Sequence, residues 1–335
     1  MKKNILLLIF VFSWLASCTN ATKPKNPVEF KGIKMTIPYS ILIGHSLTRQ
    51  EQKLLERNID EIFDKIDTTY NKWNPLSEIS KINNLDKNQP LTISEELSQF
   101  LKFVQSIVYL TDHFYDPTVE PLQKLWVSKL NKKTMPSQKE IDEIMPAIGW
   151  HNLHINKNII FKDHPKTKLD LSGIAKGLAI DLLITRIENL GYNNALVEWG
   201  GEIRTIGSHP EGRPWSIFIR NINAVDLDNA IDRISLIDKA IATSGDYLQF
   251  WDIVNAENGQ TLTYFHIINP KTGIPLTTNL DSIASVSVTA PSCAFADAIA
   301  TACMVAGNKE QAIEWSEKIK GLFPFIDFWI ANRSK

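Results

Sequence analysis

Asp297 and Thr301, in Ala296-Asp297-Ala298-Ile299-Ala300-Thr301, stand four residues apart, which puts a carboxylate and a hydroxyl on one face of a helix. Both are hard oxygen donors. They suit a magnesium ion that keeps other positions for oxygens such as those of a phosphate. Taken alone, the pair also reads as a threonine bonded back to its own helix beside an aspartate that caps or meets solvent. Zinc is disfavoured, because no Cys/His cluster has the usual spacing and His151 and His154 stand isolated.

A second group is Asp170-Leu171-Ser172-Gly173-Ile174-Ala175-Lys176-Gly177. A strand runs through a Gly-containing turn into a helix, so amide N–H groups and the positive helix end face an anion, and Lys176 adds a point charge. The glycine spacing is that of neither a P-loop nor a dinucleotide fold. A plain junction with a solvated lysine is the other reading. In His266-Ile267-Ile268-Asn269-Pro270-Lys271-Thr272-Gly273 a strand delivers His266 to a tight turn, as a proton acceptor or as a structural imidazole. Phe114-Tyr115-Asp116-Pro117-Thr118-Val119, with Trp126 downstream, sets aromatic rings beside a polar turn. Trp73, ahead of Ser77-Glu78-Ile79-Ser80-Lys81-Ile82-Asn83, does the same. Such rings serve a stacked ligand or a core.

Helices and strands must bring these groups together. Thr48-Arg49-Gln50-Glu51 is a capping box, and apolar residues at helical spacing follow it to about Tyr70. Thr92-Ile93-Ser94-Glu95 opens a second helix. His151 to Lys162 reads as a hairpin turning at Asn156-Lys157-Asn158. Leu169–Leu171 is a short strand end, and Ile174–Leu190 is a helix closed by Gly191. Tyr39–Ile43, Ala195–Ile206, Trp215–Ile219, Ile234–Ala242, Ser285–Thr289 and Phe323–Ile330 read as strands. Helices from Pro291-Ser292 to before Gly307 and from Asn308 to Lys320 lie between the last two. Helices in blocks between runs of strands predict an α+β fold with mixed or antiparallel sheets and helices packed against them.

The chain has 335 residues, 44% hydrophobic and 22% charged, with 36 Lys+Arg against 37 Asp+Glu. That balance excludes a disordered chain and lacks the basic excess of a general nucleic-acid binder. Met1-Lys2-Lys3-Asn4, an apolar run of Ile5 to Leu15 too short to span a bilayer, and Leu15-Ala16-Ser17-Cys18 predict a signal peptide over 1–17. The small-small-Cys ending resembles a lipobox, so Cys18 is the expected lipidation site, residues 18–30 the tether and 31–335 the folded domain, of one or two subdomains. Lipid chains on Cys18 anchor without spanning, which places the expected protein on the periplasmic side of a membrane, the inner one favoured. An ordinary secretory signal with an incidental cysteine is the alternative. Cys293 and Cys303, ten apart in one helix, face different ways and read as core residues.

Taken in order, the motifs resemble the ApbE-type FAD:protein FMN transferases over Gly32 to Gly307. The matching pieces are Met35 to Ile41, Trp73 to Asn83, Phe114 to Trp126, Asp170 to Asp181, Gly200 to Ile203, Ala242 to Tyr247, His266 to Gly273 and Ser285 to Gly307. The resemblance implies binding of FAD with magnesium (manganese is the other candidate), cleavage of its pyrophosphate, release of AMP and transfer of FMN to a Ser or Thr of an acceptor. The implied acceptors are flavoprotein subunits of membrane redox complexes such as sodium-pumping NADH:quinone reductase. Hydrolysis of FAD to FMN and AMP, or flavin binding without turnover, are the alternatives. It also implies Asp297, Thr301 and the carbonyl of Gly173 as metal ligands. Met35, Trp73, Phe114, Tyr115, Asp116, Asp170, Lys176 and Thr272 become flavin-dinucleotide contacts, and His266 the base. The chain departs from the family pattern at Thr36-Ile37, where Gly-Thr is common, at Trp73 in place of a tyrosine, and at Asn269-Pro270 in place of an acidic-Pro turn.

Overall fold

The chain enters the fold as a hairpin, β1 (Val28–Lys34) and β2 (Ile37–Ile43). The first strand thus begins before the expected boundary at residue 31. The computed structural model describes residues 26–219, 230–245, 249–254, 259–278 and 282–333. The predicted leader, Cys18 and Asp246-Tyr247 lie outside the described residues. The hairpin turn is Met35-Thr36, with φ of 49° and 67°. Positive φ at both turn residues matches strand twist, but it is a costly conformation for a β-branched threonine.

Helix α1 (Arg49–Tyr70) opens on the expected capping box: Thr48 Oγ1 accepts from the Glu51 amide, and Glu51 Oε2 accepts from the Thr48 amide. Then come α2 (Glu78–Asn83), β3 (Leu91–Thr92) and α3 (Glu95–Leu110). The predicted start of α3 is corrected by two residues, because Thr92 is paired in β3 and Ser94 is the N-cap. After α4 (Glu120–Leu130) and α5 (Gln138–Asp142), the expected hairpin appears as β4 (Leu153–Asn156) and β5 (Ile159–Lys162). Leu169–Leu171, expected as a strand, forms no ladder; the adjacent Lys168 makes one bridge to Val119. Next are α6 (Ser172–Asn189), β6 (Ala195–Trp199), β7 (Glu202–Ile206), β8 (Trp215–Ile219), β9 (Asp232–Leu236) and β10 (Ala240–Gly245). Two of the apolar runs read as single strands are pairs: Ala195–Ile206 folds back at Gly200-Gly201, and Ile234–Ala242 breaks at Asp238, whose φ is 51°. The chain closes with β11 (Phe250–Val254), β12 (Thr261–Ile268), β13 (Pro275–Thr277), β14 (Ile283–Ala290), α7 (Cys293–Val305), α8 (Lys309–Leu322) and β15 (Asp327–Asn332).

The main sheet has the order β1-β2-β6-β7-β10-β14-β15 and every neighbouring pair is antiparallel. Helix α6 packs on β6 and β7, and α7 on β10 and β14. All eight residues of β14 are buried, the polar Ser285, Ser287 and Thr289 among them. One core joins α1, α3 and α6 to β2 and β6, and a second surrounds α7, β14 and α8. Smaller sheets, β11-β12-β13, β3-β5-β4 and β8-β9, flank them. The architecture is α+β, as the sequence predicts. Cys293 and Cys303 are free and buried in α7. No helix among the described residues is long and apolar enough to cross a membrane.

Candidate active site

The site is built where α6 crosses α7. A Cβ on Gly177 would lie 2.5 Å from Ala294 N and from Cys293 C and O, so the two helices touch backbone to backbone there. Four residues past Cys293, Asp297 is 2% exposed, and its Oδ2 accepts from the Gly177 amide at 3.4 Å. Thr301, one turn further, shares a hydrogen bond with Ser244 Oγ on β10 at 2.9 Å. At the start of α6, Gly173 leaves helical geometry (φ −87°, ψ 21°). A side chain at Gly173 would meet Thr301 Oγ1 at 3.1 Å and the Tyr115 ring at 3.5 Å. Asp297, Thr301 and Gly173 are therefore brought together, and Asp297 is neither a cap nor solvent-facing.

Charge is concentrated around this joint. Lys176 makes an ion pair with Glu202, which is buried behind it on β7. Burial works against the Lys176 ammonium, but Glu202 and then Asp297 outweigh it and hold the amine charged. Burial, followed by the repulsion of Asp297, pushes the Glu202 carboxyl above its ordinary value despite Lys176. Burial likewise raises Asp297. Glu202 Oε2 and the Tyr115 hydroxyl are buried with no hydrogen-bond partner among the described residues. Tyr115 is raised by burial and then by Asp297, Asp170 and Asp116.

These features fit a hard divalent cation. Two carboxylates sit in low dielectric facing one lysine, and buried oxygens lack partners. No cluster of three or more His, Cys, Asp or Glu able to hold a metal occurs among the described residues. A cation here would draw on the Thr301 hydroxyl, the Gly173 backbone and ligand oxygens besides Asp297.

Asp170 lies under the first turn of α6, where its Oδ1 accepts from the Ser172 amide at 2.9 Å and from the Ser172 hydroxyl. Its Oδ2 meets Lys72 Nζ at 2.9 Å. Burial would raise this carboxyl, but Lys72 and Ser172 overcome it and the net direction is down. The Lys72 ammonium also stands 5.0 Å from the centre of the Trp73 ring, which is 79% exposed. Phe114 is covered by Lys271 Nζ at 4.4 Å. Met35 is on the β1–β2 turn, packed against the first core. That turn lies beside the β6–β7 turn, where a Cβ on Gly200 would come 2.9 Å from Ile37.

His266, on β12, approaches the Gln249 carbonyl with Nδ1 at 3.4 Å. Burial lowers its imidazole pKa, with smaller opposing effects of the Gln249 carbonyl and Asp170. The ring is thus poised neutral and able to take a proton. Two candidates lie differently. Asp116 is wholly engaged: Oδ1 accepts from the Thr118 amide and hydroxyl, and Oδ2 from the Trp150 amide, with His113 at 3.4 Å. It ties the Thr118 turn to the Trp150 backbone, and both of its oxygens are taken. Thr272 is exposed, its hydroxyl taking the Ile274 amide within the turn.

Sequence reasoning missed Lys72 and Glu202 as site residues. Glu202 follows the Gly200-Gly201 turn, so an acidic residue entering a central strand was the available signal. Lys72 carries none, because only tertiary folding brings it to Asp170.

The ApbE family model matches residues 35–323. The chain is 40% identical to an FAD:protein FMN transferase of Chlamydia pneumoniae over 93% of both proteins. It is 31% identical to one from Vibrio cholerae, over 92% of this chain and 89% of that one. Among solved structures, the flavin transferase ApbE from Vibrio cholerae superposes with TM-score 0.77 at 29% identity, covering 93% of this chain and 95% of that one. The apo flavinyl transferase ApbE of Pseudomonas stutzeri, at 24% identity, shares the fold with TM-score 0.78. The chain belongs to the ApbE family.

Proposed function

We propose that this protein is a divalent-cation-dependent FAD:protein FMN transferase that joins FMN from FAD to a Ser or Thr hydroxyl of an acceptor. The observation that carries this is the convergence of Asp297, Thr301 and Gly173 at the α6–α7 crossing, beside the ammonium of Lys176. Those three would hold magnesium, or manganese in its place. Bound there, the ion supplies charge neutralisation and orientation at the pyrophosphate.

The remaining work falls to the chain's own groups. Lys176 draws the negative oxygens inward. Trp73, Phe114 and Met35 offer apolar faces to the isoalloxazine. Asp170, kept ionised by Lys72, fixes the first turn of α6 through Ser172. His266 accepts the proton of the acceptor hydroxyl as its oxygen bonds to the FMN-side phosphorus. The bond from that phosphorus to the bridging oxygen breaks, and the oxygen leaves with AMP. The acceptor is read as a flavoprotein subunit of a membrane redox complex, reached by an enzyme anchored through lipid on Cys18.

The test is incubation of the full chain with FAD, magnesium and an acceptor domain, with and without chelator. Flavin fluorescence covalently on the acceptor band, lost with chelator, is the expected result. Free FMN without labelled acceptor would mean hydrolysis, and unchanged FAD would mean binding alone.

A further inference from the structure

Asp181 stands four residues beyond Gly177 on α6, and its carboxylate reaches out of its own helix to close the N-terminus of α7. Oδ1 accepts from the Cys293 amide at 2.9 Å, and Oδ2 from the Ala294 amide at 3.0 Å and the Ser292 hydroxyl at 2.7 Å. Arg204 Nη1, on β7, donates to Oδ1 at 2.5 Å. Helix α7 already has an N-cap in Ser292, whose Oγ accepts from the Phe295 amide at 3.2 Å. Asp181 therefore takes two initial amides that this cap does not satisfy, and its charge suits the positive end of the helix.

This clasp is more than end-capping, because it comes from the other helix of the joint. The Gly177 contact sets how closely α6 and α7 approach. The clasp sets how far α7 slides and turns against α6, since two adjacent amides and a hydroxyl are fixed to one carboxylate. Asp297 follows Cys293 by four residues, about 6 Å along the same face. A cation site assembled from Asp297 and Thr301 on α7 and Gly173 on α6 exists only in the correct register of the two helices. Arg204 holds the carboxylate from the sheet side, so α6, α7 and β7 are tied at one point.

We propose that Asp181 is a positioning residue of the divalent-cation site, acting by locking α7 to α6 without touching the ion. The proposal rests on the reading of Asp297 and Thr301 as that site.

The test uses Mn²⁺ and the full chain without FAD. Bound Mn²⁺ loses its free-ion electron paramagnetic resonance signal, so a titration yields Kd with no turnover. Asp297→Asn should abolish binding, and Asp181→Ala should raise Kd at least tenfold. Asp181→Asn keeps the shape and one acceptor oxygen, and should fall between them. Ordinary loss of helix capping would lower the melting temperature and leave Kd where it was; that result for Asp181→Ala overturns the proposal. Should the alanine variant not fold, Asp181→Asn decides, and a wild-type Kd there overturns the proposal as well. If Mn²⁺ binding survives Asp297→Asn, the reading of the site fails and the proposal with it. If Asp297→Asn abolishes binding while both Asp181 variants bind normally, only the proposal fails.

Discussion

Gly177→Ala is the sharpest probe of the joint between α6 and α7. The added Cβ would sit 2.5 Å from three backbone atoms of Cys293 and Ala294, and backbone cannot swing aside. Ordinary contact begins near 3.4 Å, so the helices must part by about 1 Å. Overpacking of this kind costs ~1–3 kcal/mol, and the better helix propensity of alanine returns ~1 kcal/mol. The expected net loss is at most about 2 kcal/mol, a fall in melting temperature of a few degrees. The effect on chemistry is larger. The Asp297 Oδ2 contact to the Gly177 amide is already 3.4 Å, and another 1 Å abolishes it while carrying Thr301 away from Gly173. A misplacement of that size typically costs ~10² in rate. The measurement is a thermal melt alongside the initial rate of acceptor labelling at saturating FAD and magnesium. Gly321→Ala in α8, where a Cβ meets nothing within 4 Å, is the control and should keep full activity with a slight gain in stability. A Gly177→Ala enzyme labelling acceptor within twofold of wild type would refute the claim that the crossing sets the site.

Asp297→Ala should abolish Mn²⁺ binding and lower transfer by ~10²–10³ or more, read by ion titration and acceptor labelling. The His266 imidazole is held below its usual value of 6.5 by burial, so the acid limb of kcat/KM should fall below pH 6.5, and His266→Asn should remove that limb with most of the rate. The same shift makes the folded state bind fewer protons than the unfolded one, so His266 costs stability as pH drops below 6.5, a loss that urea melts of wild type and His266→Asn should separate. Thr36→Gly relieves a φ of 67° on a β-branched residue and should raise stability by about 1 kcal/mol, seen as a higher urea midpoint with unchanged slope.

The parts of this structure legible in the sequence were those with local causes. Thr48 and Glu51 announce α1 because a capping box needs only residues three apart. The Asp297–Thr301 pair was legible because helix geometry alone puts i and i+4 on one face. Thr92 misled because a second oxygen-bearing residue, Ser94, stood nearer the helix, and pairing in β3 claimed Thr92 first. Long-range partners were hidden. Nothing local tells that Lys72 meets Asp170 across 98 positions, or that Asp116 is consumed by Thr118 and Trp150.

The composition of α7 explains why the site lies between helices. Its sequence Cys-Ala-Phe-Ala-Asp-Ala-Ile-Ala-Thr-Ala sets small residues around Asp297, and α6 answers with Gly173 and Gly177. Small residues on both sides let the backbones meet, and oxygens on opposite helices can then come within reach of one ion. Burial of Asp297 and Glu202 beside this contact strengthens their interactions with Lys176. Loops of equal composition would give the donors no fixed separation. His266 arrives from a different sheet, on β12, so cation binding and proton transfer rest on separate supports. Loosening the small sheet should therefore slow the chemistry while leaving the ion's affinity intact, whereas loosening the α6–α7 joint must damage both.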